Sequence, residues 1–183
     1  MSLRIPAALA AALLLPLSAL SAEGEWQSLF NGRDLTGWTI KIAKRPLGEN
    51  YLDTFRVEDG ILKVSYDKWK TFDRHFGHLY TNQPYSNYIL RLEYRIAGTA
   101  PADAPHWAKL NSGVMVHSQS PLSMALDQEF PASMEFQFLS VGATAGKQTG
   151  NVCTPGTNLE MKASCSKITS STRARSCFQS TSG

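Results

Sequence analysis

Alternation of apolar and polar residues with a period of two is the feature of this sequence that most restricts its fold. The longest example runs from Tyr88 to Ile96, and shorter examples run from Val114 to Gln119 and from Ser133 to Leu139. A period of two is typical of β-strands, because successive side chains of a strand point to opposite faces of the sheet. Outside an N-terminal apolar run, no long segment has the 3.6-residue period of an amphipathic helix. The alternation therefore predicts an all-β domain, most simply two packed antiparallel sheets.

Two turn signals strengthen this prediction. Asn31-Gly32 and Asp59-Gly60 each lie beside short apolar runs, and both dipeptides favour the left-handed backbone of tight hairpin turns. The second dipeptide separates Phe55–Glu58 from Ile61–Val64, so we expect these two segments to pair as a hairpin.

The alternation also predicts which side chains face the core. Each of the three segments has one apolar face, and the expected core residues are Leu90, Leu92, Tyr94, Val114, Val116, Met134, Phe136 and Phe138. The opposite faces carry the polar residues Arg91, Glu93, Arg95, His117, Gln119, Glu135 and Gln137. A solvated outer face is one interpretation, because antiparallel sheets commonly have one. The other interpretation is a hydrogen-bonding floor for a polar ligand, since these side chains include strong donors and acceptors.

The first 22 residues have the pattern of an export signal. Arg4 supplies a positive charge, Ala7–Leu20 is an apolar run, and small residues at Ser21 and Ala22 permit cleavage. A membrane anchor is the alternative, but the run is shorter than the roughly 20 apolar residues that span a bilayer. The sequence therefore predicts a signal peptide over residues 1–22, no stable membrane anchor, and a periplasmic or secreted protein.

The charge distribution argues against a nucleic-acid partner. The formal net charge is +3, but residues 23–159 carry 13 basic and 14 acidic side chains. Basic residues are in excess in residues 160–183, whereas a nucleic-acid-binding domain carries a basic patch on its folded surface. Residues 164–183 are also rich in Ser, Thr and Arg and lack alternation, so we expect an irregular tail there.

The three cysteines all lie near the C-terminal end, at Cys153, Cys165 and Cys177. Export makes disulfides possible, and Cys153 with Cys165 would close a small loop. Cys177 would then be the odd cysteine, and the pairing stays open. A zinc site is the alternative, but no C-x-x-C pair and no nearby histidine supports it.

Several blocks of the sequence, taken in order, resemble one known family. They are Trp26–Gly32 with Gly37-Trp38, Phe55–Gly60, Tyr88–Arg95, Asn111–Val114, Met134–Gln137 and Gly150–Thr157. This order of motifs is similar to that of the 3-keto-disaccharide hydrolase domain family, whose members act, or are presumed to act, on glycosides oxidised at C3. The resemblance implies a concanavalin-like jelly-roll β-sandwich over residues 23–163, followed by the tail at 164–183.

The sequence departs from the family pattern in two places. Gly77–Tyr80 stands where the family usually has Asp-Leu-Trp, which puts in doubt any role of that Asp. The family also continues past the cysteine-containing block into further strands. We therefore expect a sandwich that is incomplete at the C-terminus, and such a sandwich exposes strand edges and apolar faces.

The resemblance also implies a reaction. A ketone at C3 acidifies the hydrogen on C2, so a base can remove that proton, the aglycone leaves from C1, and water adds back. This route needs a base, a group that stabilises the enolate oxygen, and an acid for the leaving group. We assign Glu135 as the base and His117 as the acid or the enolate stabiliser, because histidine titrates near neutral pH.

The oxidised sugar itself is the expected partner. The residues assigned to substrate binding are Arg91, Glu93, Gln137, Asn111 and Trp107. No cofactor is assigned with certainty. A divalent cation with His117 and Glu135 among its ligands stays open, because the sequence has no identifying ligand spacing. The oligomeric state also stays open.

Each assignment has an alternative. Glu93 and Glu135 are also a candidate carboxylate pair for ordinary glycoside hydrolysis, and Glu93 is also a candidate ion-pair partner of its neighbouring arginines. His117 is as readily a structural histidine, Trp107 a core residue, and Asn111-Ser112-Gly113 a turn. For the whole protein, the alternatives are a non-catalytic carbohydrate-binding module and a structural domain of the cell envelope, because fold does not determine function.

The export signal gives the first testable prediction. We expect exported protein to begin near Glu23, because the apolar run led by Arg4 ends in small residues that a signal peptidase accepts. N-terminal sequencing of secreted or periplasmic material checks this, and recovery of Met1 or Ser2 in that material would contradict it.

Overall fold

The computed structural model describes residues 25–140 and 149–158, which form seven β-strands and three single-turn 3-10 helices. The strands are β1 (Trp38–Ile42), β2 (Phe55–Glu58), β3 (Ile61–Val64), β4 (Gly77–Thr81), β5 (Asn111–Val116), β6 (Met134–Leu139) and β7 (Val152–Cys153). The 3-10 helices are Tyr51–Asp53, His106–Ala108 and Pro121–Ser123. The expected signal peptide, the expected tail, Cys165 and Cys177 lie outside the described residues.

All strand pairs in the described part of the chain are antiparallel. β1 pairs with β4, β2 with β3, and β5, β6 and β7 form a three-stranded sheet in that order. Apart from the three 3-10 turns, residues 25–140 and 149–158 contain no helix. The prediction of an all-β, antiparallel fold is therefore confirmed.

The β2–β3 hairpin forms at the predicted Asp-Gly turn. Glu58 pairs with Ile61, so the loop has two residues. Asp59 and Gly60 have φ values of 51° and 75°. Positive φ at both loop positions is the type I′ geometry, whose twist matches that of the paired strands. The Asp-Gly sequence therefore accounts for both the position and the tightness of this turn.

A cluster of aromatic rings forms the core beside β1 and β4. Ile40, Ile42 and Phe55 are buried at one end, and Phe72, Phe76 and Ala104 at the other. Trp69 and Tyr66 lie between the two groups, with their ring centroids 5.3 Å apart. The indole of Trp69 donates a hydrogen bond of 2.8 Å to Thr54 Oγ1, so its polar edge is satisfied inside the core.

The loop between β5 and β6 is fastened to the β1–β4 sheet by polar contacts. Lys41 is buried, and its Nζ donates to the carbonyl oxygens of Leu126 at 2.8 Å, Ile42 at 3.1 Å and Arg45 at 3.3 Å. The ring of His78, which is paired with Lys41, lies 2.7 Å from the carbonyl oxygen of Glu129. Burial lowers the pKa of Lys41, and the three carbonyl oxygens compensate its ammonium group for lost water.

The prediction of a strand over Tyr88–Ile96 is wrong for this structure. The segment is irregular and largely exposed; Ile89 is 83% exposed, and Leu90, Leu92 and Tyr94 are outside the core. A strand needs a neighbour with unpaired backbone groups, and none of the three described sheets pairs with this segment. Alternation predicts how side chains divide between two faces, but it does not supply the partner strand.

The predicted core face of β6 is also wrong. Phe136 is 37% exposed, whereas Gln137 on the opposite face is only 6% exposed. Leu139 is buried on the same face as Gln137, so this face is not polar along its whole length. Val114, Val116, Met134 and Phe138, the other expected core residues of β5 and β6, are only partly buried. Which face of β6 turns inward is decided by tertiary packing rather than by the alternation.

The core cluster gives a stability prediction. Ile42 is 0% exposed, so Ile42→Ala should lower the free energy of unfolding by about 2–5 kcal/mol through lost burial and the remaining cavity. The matched control is Ile61→Ala on β3, where the side chain is 59% exposed and the expected loss is below about 1 kcal/mol. Urea unfolding of both variants measures this, and equal losses would contradict the described core.

Candidate functional site

The three-stranded sheet places a row of chemically active side chains on one face. Glu135 pairs with Met115 of β5 on one side and with Cys153 of β7 on the other. Directly paired residues of antiparallel strands lie on the same face, so these three side chains form a row across the sheet. Gly113 and Gln137 form the next pair on this face. The sequence predicted Glu135 and Gln137 here; the pairing adds Gly113, Met115 and Cys153.

This face lines a large open cleft. The cleft has a volume of about 3580 Å³, and its lining includes Glu135, Gln137 and His117, as well as Trp107 and residues of the unpaired segment 82–100. Small-molecule sites usually occupy about 300–1,000 Å³, so the cleft as a whole is larger than one ligand site. The candidate site is therefore the part of the cleft around Glu135.

Glu135 is a partly buried carboxyl group without a partner among the described residues. Its side chain makes no hydrogen bond or ion pair within residues 25–140 and 149–158, and burial raises its pKa above the ordinary value. A carboxylate that is removed from water and left unpaired is destabilised, so it holds its proton more strongly. Carboxyl groups with these properties are characteristic of acid–base sites.

Two amide side chains lie on the same face of the sheet as Glu135. Gln137 is buried, and Asn111 begins β5 opposite Leu139. Asn111 Nδ2 donates to the carbonyl oxygen of Trp107 at 2.8 Å. Its Oδ1 is buried with no hydrogen-bond partner among the described residues. A buried acceptor without a donor is uncommon, and a ligand hydroxyl would satisfy it.

The Asn111-Ser112-Gly113 motif is not a turn. These three residues are the first half of β5 and pair with Leu139, Phe138 and Gln137 of β6. The turn prediction relied on local composition, and the pairing with β6 overrides that preference.

Trp107 combines the two roles that the sequence left open, a core residue and a residue of the binding site. Its ring stacks on Phe76 with centroids 5.4 Å apart and an interplanar angle of 12°. The residue nevertheless remains 42% exposed and lines the cleft. Trp107 therefore caps the aromatic core with one side and offers ring surface to the cleft with another.

His117 and Glu135 are not hydrogen-bonded to each other within the described residues. His117 follows β5 directly, has a φ of 49° and is exposed. Its ring lies 6.4 Å from that of Tyr88, and within the described residues no hydrogen bond links it to Glu135. The predicted alternation from Met115 to His117 is broken by this left-handed residue, which redirects the chain.

Arg91 and Glu93 lie in the unpaired segment rather than on a sheet. The guanidinium of Arg91 stacks over the ring of Trp26 at 4.5 Å. Glu93 is exposed and has no ion-pair partner among the described residues, so the alternative pairing with its neighbouring arginines is not formed there. Both residues line the cleft, but within the described residues no hydrogen bond or ion pair links either one to Glu135.

Gly113 is a residue of this site to which the sequence analysis gave no functional role. It lies in the middle of an otherwise alternating strand, where glycine weakens a strand and often marks a close approach by another group. That signal was present in the sequence, but its meaning depends on the side chain that lies opposite.

A metal-binding cluster and a membrane-spanning helix are both absent from the described residues. Within residues 25–140 and 149–158, no three His, Cys, Asp or Glu side chains come together in an arrangement that would hold a metal ion. The same residues include no helix with the length and apolar character required to cross a membrane.

Comparison with known proteins identifies one family. The model of the family described as "3-keto-alpha-glucoside-1,2-lyase-like domain" matches residues 25–178, which is more than half of the chain. Neither curated proteins nor solved structures gave a match.

The buried carboxyl group gives a prediction about stability and pH. Because burial raises the pKa of Glu135, the folded chain binds this proton up to a higher pH than the unfolded chain does. The free energy of unfolding therefore falls as pH rises from the ordinary range of a glutamate toward the raised value. Glu135→Gln should raise the free energy of unfolding at about pH 7, and the gain should shrink near pH ~4, where the unfolded chain also binds much of this proton.

Urea unfolding of the wild type and Glu135→Gln at the two pH values measures this difference. Glu93→Gln is the matched control, because Glu93 is exposed and should change stability little at either pH. A Glu135→Gln variant that is less stable than the wild type at neutral pH would show that the carboxylate has a stabilising partner.

Proposed function

Because this chain belongs to the 3-keto-alpha-glucoside-1,2-lyase-like domain family, we propose that it cleaves glycosides that carry a ketone at C3. Membership gives the chain the concanavalin-like, all-β architecture of that family and a carbohydrate-related substrate. The observation that supports cleavage is the partly buried, unpaired carboxyl group of Glu135 on the cleft face of the sheet. The family description names a 1,2-lyase, and elimination across C1 and C2 of a sugar requires such a base.

The proposed reaction has two stages. Glu135 takes the proton from C2, and the electron pair forms an enolate with the C3 carbonyl. The enolate collapses to a C1–C2 double bond, the C1–O bond breaks, and the aglycone oxygen receives a proton. Water then adds across the double bond, with hydroxyl at C1 and hydrogen at C2. The net change is hydrolysis, and no oxidant or reductant is consumed.

The environment of Glu135 suits this role. A base is most effective when its pKa lies near the working pH, and burial moves the pKa of Glu135 upward from the ordinary glutamate value. The absence of a partner among the described residues leaves the carboxylate available to accept the C2 proton. A carboxylate held in an ion pair would be a weaker base.

The other assigned residues have supporting roles in this proposal. The amides of Gln137 and Asn111 are placed on the same face to bind sugar hydroxyls, and the exposed part of the Trp107 ring offers a stacking surface. His117 is the proposed acid or enolate stabiliser. Arg91 and Glu93 contribute from the unpaired segment across the cleft. The proposal requires His117 and this segment to approach Glu135 when substrate is bound.

Carbohydrate binding without catalysis is the second candidate function. It is favoured by the half-exposed Trp107 ring and by the unsatisfied Oδ1 of Asn111, since both would bind a sugar that is not cleaved. We also propose that the protein works in the periplasm or outside the cell, on the basis of the signal-like residues 1–22.

The activity prediction compares an oxidised sugar with its parent. The wild type should cleave a 3-keto-glycoside faster than the same glycoside without the ketone, because only the ketone makes the C2 proton acidic. Glu135→Gln should lower kcat roughly 10²–10⁴-fold, the usual contribution of a positioned base. In heavy water, the product of the wild type should carry deuterium at C2.

The matched control is Glu49→Gln, which alters a carboxylate in the loop after β1 and outside the cleft lining. It should keep wild-type turnover. Equal rates on both sugars, or no deuterium at C2, would reject the elimination route. If the wild type binds the sugar without cleaving it, and Glu135→Gln changes only the affinity, the result would favour the carbohydrate-binding module over the enzyme.

A further inference from the structure

Gly113 has no conformational reason to be a glycine. It lies inside β5, in register with Gln137, and its φ is not in the left-handed region that favours glycine. Glycine in the interior of a strand is unfavourable, because it has the largest conformational entropy to lose and no side chain to pack. The reason must therefore be the space above its Cα.

That space is occupied by the side chain of Glu135. A Cβ atom built on Gly113 would meet three atoms of Glu135: Oε1, Cγ at 2.7 Å and Cδ at 2.9 Å. Real Cβ atoms essentially never approach other heavy atoms within 3.0 Å, so the carboxyl group would have to move. Glu135 pairs directly with Met115, two residues along from Gly113 on the same face. The side chain of Glu135 thus leans along the strand and lies in the gap that the glycine leaves.

We propose that Gly113 is a positioning residue that holds the Glu135 carboxyl group against β5 by leaving room for it. The proposal rests on the proposed function for its catalytic consequence, but the packing itself is independent of it. A side chain at position 113 would push the carboxyl group away from the sheet and toward the open cleft. The base would then lose both its location and its partly buried surroundings.

The first experiment is a stability cycle that does not depend on activity. Gly113→Ala should lower the midpoint of urea unfolding in Glu135→Gln, because glutamine has the same shape as glutamate. At neutral pH the loss in the wild type should be smaller, because the displaced carboxylate regains water that the buried one lacks. In Glu135→Ala, which lacks all three clashing atoms, the same substitution should be neutral or stabilising, since alanine is better than glycine in a strand. Equal losses in all three backgrounds would overturn the proposal.

The second experiment follows the carboxyl group. Titration by NMR of protein with labelled glutamate side chains should show that the pKa of Glu135 in the wild type lies above the ordinary range of a glutamate. In Gly113→Ala this pKa should move back toward that range, because the displaced carboxyl group is better hydrated. Ser112→Ala is the matched control: it lies next to Gly113 on the opposite face of β5 and should leave this titration unchanged. An unchanged titration in Gly113→Ala would contradict the displacement.

Turnover supplies the third readout. On a 3-keto-glycoside, Gly113→Ala should lower kcat by roughly 10²-fold with a smaller change in KM, and should shift the acidic limb of the pH–rate profile toward lower pH. A variant with wild-type kcat and pH profile would overturn the positioning role. If the wild type does not cleave the sugar, the proposed function fails, whereas the stability cycle and the titration still decide whether Gly113 positions Glu135.

Discussion

The pairing between β5 and β6 is the constraint on which the candidate site depends. Six residue pairs, from Asn111 with Leu139 to Val116 with Met134, place Glu135 beside Met115 and Gln137 beside Gly113. A shift of one residue would turn Glu135 to the other face, because side chains alternate along a strand. It would also remove Gly113 from the face on which the carboxyl group needs space. One backbone register thus sets the location, the neighbours and the burial of the proposed base.

The second constraint connects this sheet to the rest of the domain. The loop that follows β5 and leads to β6 is held by Lys41 at the carbonyl oxygen of Leu126 and by His78 at that of Glu129. Phe130, near the end of the same loop, packs on Phe76 with ring centroids 4.6 Å apart. Trp107 stacks on the same Phe76 ring, and its carbonyl oxygen accepts a hydrogen bond from Asn111 at the start of β5. The aromatic core and the cleft face therefore share residues, and packing in one affects geometry in the other.

The site is built from features that reduce stability. Glu135 is partly buried without a partner among the described residues, Asn111 has a buried acceptor without a donor there, and Gly113 replaces a better strand former. Each feature is unfavourable for folding alone, because burial of unpaired polar groups and loss of strand propensity both cost free energy. Such concentrations of unfavourable features are expected where a ligand or a reaction uses them. The aromatic cluster around Trp69 and Phe76 offsets them elsewhere in the domain.

The sequence by itself determined the all-β class, the Asp59-Gly60 hairpin and the family, because alternation, turn chemistry and motif order are local properties. It also assigned Glu135 and Gln137 to one polar face and Asn111 to substrate binding. Only the tertiary structure decided that Tyr88–Ile96 is unpaired, that Gln137 rather than Phe136 is buried, and that His117 leaves the strand in a left-handed conformation. The structure also decided why Gly113 is a glycine, because the reason is the side chain of Glu135 that lies over it. Pairing, face selection and close approach depend on residues distant in sequence, and a periodic pattern carries no information about which of them will be neighbours.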